Sequence, residues 1–321
     1  MTEPAETGIL YTEHAGLTAM SPILSLWSYE TRPYRRDRRS VTLNPDGGHE
    51  FWLERWDPLL NTILPGTGVS LVVNKGGSRW AVGPLATASS ALPSVCIVGP
   101  ATRPQVLQVG NDVRALGAVI PTFLTGAVFG VPPSALVDRI VPLQDLWASD
   151  DVDRLVDAVS LRDARHGLID IRNTLIERLR RTPCADTIGL MAHRLISRWA
   201  GRVSIDELTK HHGLSRQQFA RQFHAATGLT PKLFARIARY QKLVHVLLST
   251  DVSEWASVSA GVGFYDQAHM INEFRTFSGA SPTTFFRPHG ARIDPVAIRL
   301  RGRPSEWPRP GRKAERDPTS A

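Results

Sequence analysis

Two cysteines, Cys96 and Cys184, are all that the 321 residues contain, and they lie far apart. That scarcity excludes a disulfide framework and a thiolate zinc site, so both read as inert thiols. Long hydrophobic runs are missing too. The apolar stretch "ALGAVIPTFLTGAVFGVPP" is broken by Pro121 and by glycines, and reads as core, since a membrane helix needs about twenty apolar residues in a row. The opening "MTEPAETGIL" has neither the basic region nor the apolar stretch of a signal peptide. The expectation is a cytoplasmic chain with no membrane partner.

Catalytic patterns are equally scarce. "GTGVSL" at 66–71 is neither a GxGxxG nucleotide fingerprint nor a GxSxG nucleophile elbow. His49, Glu50 and Glu54 in "GGHEFWLE" come nearest to a cupin metal set, but the further histidines that such a site needs are absent. No cofactor, metal or catalytic residue is expected, and the chain reads as a non-enzyme.

What the chain does have is ordinary core-forming composition, 42% hydrophobic, and a length suited to two domains. Its formal charge of +8 is unevenly placed. Residues 1–200 hold 20 basic and 20 acidic side chains, whereas residues 201–321 hold 18 basic and 10 acidic. A basic C-terminal part on a neutral N-terminal one points to a polyanionic partner, of which nucleic acid is the commonest. Half of the excess sits after Pro288, in a stretch rich in Pro, Gly and Arg that reads as a disordered tail over 289–321, either solvated or adding salt-sensitive attraction to DNA.

Within the basic part, "GLSRQQFARQFHAATGLTP" at 213–231 is repeated as "GFYDQAHMINEFRTFSGASP" at 263–282. Phe223, Gly228 and Pro231 recur as Phe274, Gly279 and Pro282 at an offset of 51, while Gly213 and Gly263 differ by 50, because the second turn is one residue longer. In the first copy Ser215 and Gln218 make a capping box, and Phe219, Phe223 and Ala226 share an inward face, with Gln217, Arg221 and His224 opposite. In the second, Met270, Phe274 and Phe277 face inward and Ala268, Asn272 and Arg275 outward. A short amphipathic segment precedes each copy: "SIDELTKHHG", with Ser204 and Glu207 as a capping box, and "SEWASVSAGVG". Between them "KLFARIARYQKLVHVLL" predicts one long helix. Helix, glycine-containing turn and helix, twice over, is a duplicated helix-turn-helix. Either it carries two recognition helices into successive major grooves of DNA, or it is a docking domain of a non-DNA ligand-binding or protein-interaction module. Repetition in register, inside the basic half, favours DNA.

Residues 186–287 resemble the DNA-binding domain of the AraC/XylS family of bacterial transcription regulators. Ser215, Arg221 and Phe223 match its Ser-capped "xxRxF" helix, and Gly263, Phe264, Asp266, Gln267, His269, Phe274 and Arg275 match "GFxDQSHFxRxFK". Asn272 stands where that pattern has Arg, and Met270 where it has Phe. Ser259 and Gly261 stand where small residues, often alanines, are usual. The resemblance implies that "DTIGLMAHRLISRWAG" packs on the first helix-turn-helix. It also implies sequence-specific binding of double-stranded DNA, with RNA polymerase, a small-molecule effector and a second copy of the chain as candidate partners.

The candidate DNA-binding residues are Arg216, Gln217, Gln218, Arg221, Gln267, Ala268, His269, Asn272 and Arg275. Gln217 and Arg221 lead as base readers, Gln suiting adenine and Arg guanine, with a phosphate contact the plainer role for Arg221. Arg216 and Gln218 suit phosphates or helix ends. Gln267, His269 and Asn272 are the second unit's candidates, and His269 suits a capping or packing role equally well.

The fold class expected is α+β. Residues 1–145 form a β-rich unit, barrel, cupin-like or sandwich, from short apolar runs such as "ILSLWSYE", "HEFWLERW", "GVSLVVNKGG", "RWAVGP", "SVCIVGP" and "QVLQV" between turn signals. "TFLTGAVFGVPPSALVDRIVPLQDLW" then turns helical. Residues 146–185 form a helical linker whose Leu168, Ile171, Leu175 and Leu179 stripe is core or dimer seam, 186–288 the all-α DNA-binding domain, and 289–321 the tail. The motifs around Leu64-Pro65, Leu71 to Asn74, Gly99-Pro100 and Gly130 to Trp147 resemble the β-rich sensor regions joined to AraC-type domains, which implies effector binding or dimerisation. Trp27, Trp52, Trp56 and Trp80 either line a pocket or fill a core.

Overall fold

The computed structural model describes residues 7–13, 25–33, 41–43, 49–53, 61–75, 79–82, 90–108, 113–160, 163–182, 206, 209–210, 213–249 and 255–285. The N-terminal region is antiparallel sheet and the C-terminal region is helical. Eight strands pair in the order β12-β9-β6-β11-β2-β1-β4-β3 and four more in the order β5-β10-β7-β8. The strands are β1 (Thr7–Glu13), β2 (Ser25–Pro33), β3 (Val41–Leu43), β4 (His49–Leu53), β5 (Asn61–Ile63), β6 (Gly68–Lys75), β7 (Arg79–Val82), β8 (Ser90–Ala91), β9 (Val95–Val98), β10 (Gln105–Gln108), β11 (Arg114–Pro121) and β12 (Ile140–Pro142).

The centre of the larger sheet shows why these residues are strands. In β6 and β11 alternate side chains serve two different cores. Val69, Leu71, Val73, Leu116, Ala118 and Ile120 join one apolar cluster, while Val72, Ala115 and Val119 join another around Trp27, Tyr29 and Cys96. Being covered on both faces, β11 reads as a continuous apolar run with no polar alternation. For that reason it was legible only as core and not as a strand. Gly117 is paired with Trp27, and a Cβ there would lie 2.2 Å from the indole, so the ring needs a bare backbone beneath it. Cys96 is fully buried, and that burial pushes its thiol up to about 12, which keeps it protonated and inert. Cys184, Trp56 and Glu54 lie outside the described residues, as do the side chains of His49, Glu50, Trp52 and Trp80.

The stretch read as turning helical after β11 is broken into short pieces. A 3₁₀ turn at Thr122–Leu124 leads into α1 (Thr125–Phe129), and a second at Pro133–Leu136 precedes β12. The prolines and Gly130, at φ +74°, prevent a longer helix. Asp138 is also left-handed, at φ +57°. Its carboxylate accepts hydrogen bonds from Thr102 N at 2.6 Å and Thr102 Oγ1 at 2.5 Å, which hold the strained residue. Helices α2 (Ser149–Ser160) and α3 (Ala164–Arg181) follow. They pack on the sheet: Leu168, Ile171 and Leu175 are buried in the same cluster as β6 and β11, so this stripe is covered by the chain's own core. Trp147 stacks on Phe129, donates to Val128 O at 3.1 Å, and lies 3.9 Å from the Arg178 guanidinium.

The described C-terminal helices are α4 (Arg216–Thr227), α5 (Pro231–Ser249), α6 (Trp255–Val262), α7 (Gln267–Ser278) and α8 (Pro282–Phe285). Residues 186–201, the Ser204–Glu207 capping box and the tail lie outside the described residues. No described helix is long and apolar enough to cross a membrane.

Candidate nucleic-acid interface

The sequence repeat is repeated in three dimensions, down to single hydrogen bonds. In the first turn Gly213 N donates to Lys210 O and Leu214 N to Thr209 O; in the second, Gly263 N donates to Ala260 O and Phe264 N to Ser259 O. Both glycines have positive φ, +61° and +96°, a conformation that side-chain-bearing residues avoid. Ser215 caps α4, with Gln218 N donating to Ser215 Oγ and Ser215 N donating to Gln218 Oε1. Asp266 caps α7 at the matching place, its side chain accepting from His269 N at 2.7 Å. Both helices stop at a left-handed glycine, Gly228 and Gly279. Just before each stop a buried hydroxyl ties off the helix: Thr227 Oγ1 donates to Phe223 O, and Ser278 Oγ to Phe274 O.

One aromatic core holds the two units together. Phe223 packs edge-on to Phe234 of α5 at 5.3 Å, and Tyr240, nine residues above Pro231 on the same helix, packs on Phe274 at 5.5 Å and Phe277 at 5.2 Å. All five rings are buried. Arg236 of α5 adds a polar clamp. Its Nε donates to Glu273 Oε2 at 2.9 Å and its Nη2 to Glu273 Oε1 at 2.7 Å, while its guanidinium lies 5.1 Å from the Phe277 ring. A bidentate pair of this kind fixes angle as well as distance. Because Arg236 is one-third exposed, Glu273→Gln is expected to lower stability by only about 1 kcal/mol, read as a shifted denaturation midpoint.

Against that core, the outward faces are open. Gln217, Arg221 and His224 on α4 and Ala268, Asn272 and Arg275 on α7 are all exposed and occupy equivalent positions. Arg216 is exposed but pairs with Asp206 at 2.7 Å, and Gln218 spends its carbonyl oxygen on the capping box. Gln267 is exposed. His269 is half-buried: its ring stands edge-on to Phe264 at 5.6 Å, and its Nδ1 is 3.4 Å from Tyr265 N. In that arrangement Nδ1 accepts, so a neutral His269 carries its proton on Nε2.

Sequence reasoning missed where the N-terminal region touches the first helix-turn-helix unit. The 3₁₀ turns at Thr122–Leu124 and Pro133–Leu136 pack on α4. Ala226, expected to line the core of its own unit, joins the N-terminal cluster instead, while Leu64 and Val137 pack into the helical one. The difference between the repeats is the signal that could have exposed this. Where the second unit has Phe277, the first has Ala226, whose small side chain leaves room for the turn.

Two helix-turn-helix units on one core define a DNA-binding domain, and residues 208–288 match the family model of a helix-turn-helix domain. The domain is of the AraC type, and the chain is a DNA-binding regulator of transcription. Among solved structures it is similar to ToxT from Vibrio cholerae, at 8% identity over 71% of this chain and 92% of that one, with a TM-score of 0.39. It is also similar to an apo ToxT variant from strain SCE256, at 10% over 82% and 96% with a TM-score of 0.43. A third similarity is to the C-terminal domain of AraT, a response regulator from Geobacillus stearothermophilus, at 19% over 32% and 87% with a TM-score of 0.30. No curated protein matches the chain.

Proposed function

We propose that α4 and α7 enter consecutive segments of the major groove on one face of a duplex. Gln217 and Arg221 read base edges in one segment, and Gln267, His269 and Asn272 in the other, with Ala268 small enough to lie against a thymine methyl. Arg216, Gln218 and Arg275 serve the sugar-phosphate backbone. The observation that carries this reading is the shared core: Phe219, Phe223, Tyr240, Met270, Phe274 and Phe277 belong to one buried cluster, so the two exposed faces are held as one rigid reader. The connecting α5, 19 residues long, spans about 28 Å, close to the ~34 Å of one turn of B-DNA.

The N-terminal unit, with α2 and α3 packed on it, is on this reading the regulatory part, sensing a small effector or pairing two copies, while the DNA-bound form presents RNA polymerase with a fixed surface. An effector changes DNA binding only by binding differently to two arrangements of the chain. The packing of the Pro133–Leu136 turn on α4 supplies a direct contact through which such a difference would reach the first unit.

The test is selection and footprinting of the full chain on a randomised duplex pool at near-physiological salt. A motif spanning two adjacent major-groove segments is expected. Arg221→Ala should lose about 1–3 kcal/mol of discrimination at one base pair and leave the other positions alone. Weak binding that vanishes with salt, with no motif and no difference for Arg221→Ala, would overturn the reading.

A further inference from the structure

The described backbones of the two units fall out of register at one place, by a single residue. From the first helix of each unit through Phe264 the hydrogen bonds correspond at an offset of 50, Leu214 N to Thr209 O matching Phe264 N to Ser259 O. From the helix cap onward they correspond at 51, Ser215 matching Asp266. Tyr265 is the residue left over. Phe264 before it is buried under the helices, and Asp266 after it is tied down as a cap, so the extra residue has nowhere to go but outward. Its side chain is 92% exposed, the one large hydrophobic residue with that exposure among those described. The backbone beneath it is nonetheless held, since Tyr265 N lies 3.4 Å from His269 Nδ1.

Exposing a single aromatic is common and needs no purpose. Here the position supplies one. Tyr265 stands one residue before the cap Asp266 and two before Gln267, which opens the first turn of α7, and the N-terminal residues of a recognition helix are those that meet base edges. A residue just before that turn lies at the groove's rim, where the sugar-phosphate backbone runs. The second unit also has more need of an anchor. Where the first unit offers Gln217 and Arg221, it offers the small Ala268 and the uncharged Asn272. A tyrosine suits the task, because its ring loses little rotamer freedom on binding and its hydroxyl can donate.

Resting on the reading of α7 as a recognition helix, we propose that Tyr265 is a DNA-positioning residue, its hydroxyl donating to a phosphate oxygen at the rim of the groove that α7 enters. It contributes register and affinity and no base preference of its own.

The test compares the full chain with Tyr265→Phe and Tyr265→Ala on the duplex recovered by selection, measuring affinity at fixed salt and phosphate-ethylation interference. Because the ring is exposed, both variants should keep the wild-type unfolding midpoint. Tyr265→Phe is expected to bind about five-fold more weakly, with unchanged base preference and with interference lost at one phosphate. Equal affinity and an unchanged interference pattern for Tyr265→Phe would overturn the proposal while leaving DNA recognition intact. If Tyr265→Phe behaves as wild type but Tyr265→Ala weakens binding and alters the preferred base at one position, the ring meets a base and the phosphate contact is wrong. Failure of the wild-type chain to select any duplex would remove this proposal together with the reading beneath it.

Discussion

Phe274→Ala is expected to destabilise the helical domain by about 3–5 kcal/mol and to erase the second half of the DNA footprint. Phe274 is fully buried between Tyr240 of α5, at 5.5 Å, and Phe285 of α8, at 5.4 Å, so truncation removes ring contacts on two sides and leaves a cavity that neither neighbour can fill. Its backbone carbonyl also accepts from Ser278 Oγ, so any shift of α7 disturbs the helix stop as well. A loss of that size is a large part of the stability of a typical domain, and Phe274→Ala could unfold outright. Phe274→Leu separates the two effects. It should cost no more than about 1.5 kcal/mol and stay folded, with protection weakened only on the groove segment read by α7. Chemical denaturation and footprinting of both variants check this. Equal weakening of the two footprint halves in Phe274→Leu would mean that the core does not position the helices separately.

The second large effect concerns two glycines with the same backbone and different neighbours. Gly213 and Gly228 are both left-handed, at φ +61° and +73°. A Cβ on Gly213 meets nothing within 4 Å, whereas one on Gly228 lies 2.8 Å from the Pro133 carbonyl carbon and 2.8 Å from Ser134 N. Gly213→Ala should therefore cost about 1–2 kcal/mol, the left-handed penalty alone. Gly228→Ala pays that penalty and a collision with backbone atoms that cannot rotate aside, an added ~1–3 kcal/mol. The excess has a structural signature. It should push the Pro133–Leu136 turn off α4, so that Gly228→Ala gains protease cleavage between the N-terminal and helical regions and Gly213→Ala does not. Equal destabilisation and equal cleavage would show that the turn does not rest on α4 in solution.

Much of the candidate interface was legible because helix-turn-helix units are local. Caps, glycine stops and the 3.6-residue stripe lie within a dozen residues of each other, so "SRQQF" and "GLTP" announce their own geometry. The outward positions Gln217, Arg221, Ala268, Asn272 and Arg275 follow from the same period and are exposed. His269 was open between reader and packing residue, and the Phe264 ring and Tyr265 N–H place it partly in packing. The sheet was legible where strands end in turn signals and obscure elsewhere. In the central β11 both faces are buried, and in β12 a three-residue strand hides inside "DRIVPL".

By itself, then, the sequence determined the duplicated helix-turn-helix, the inward and outward faces of α4 and α7, the basic C-terminal part and the DNA-binding class, because each depends on residues close together in the chain. Only the tertiary structure decided that α2 and α3 lie on the sheet, that Arg236 clamps Glu273, that Ala226 and Gly228 meet the Pro133–Leu136 turn, and that Tyr265 is the residue turned outward. These depend on which distant segments come within a few ångströms of each other. Periodicity shows that a face will be buried, and only packing shows against what.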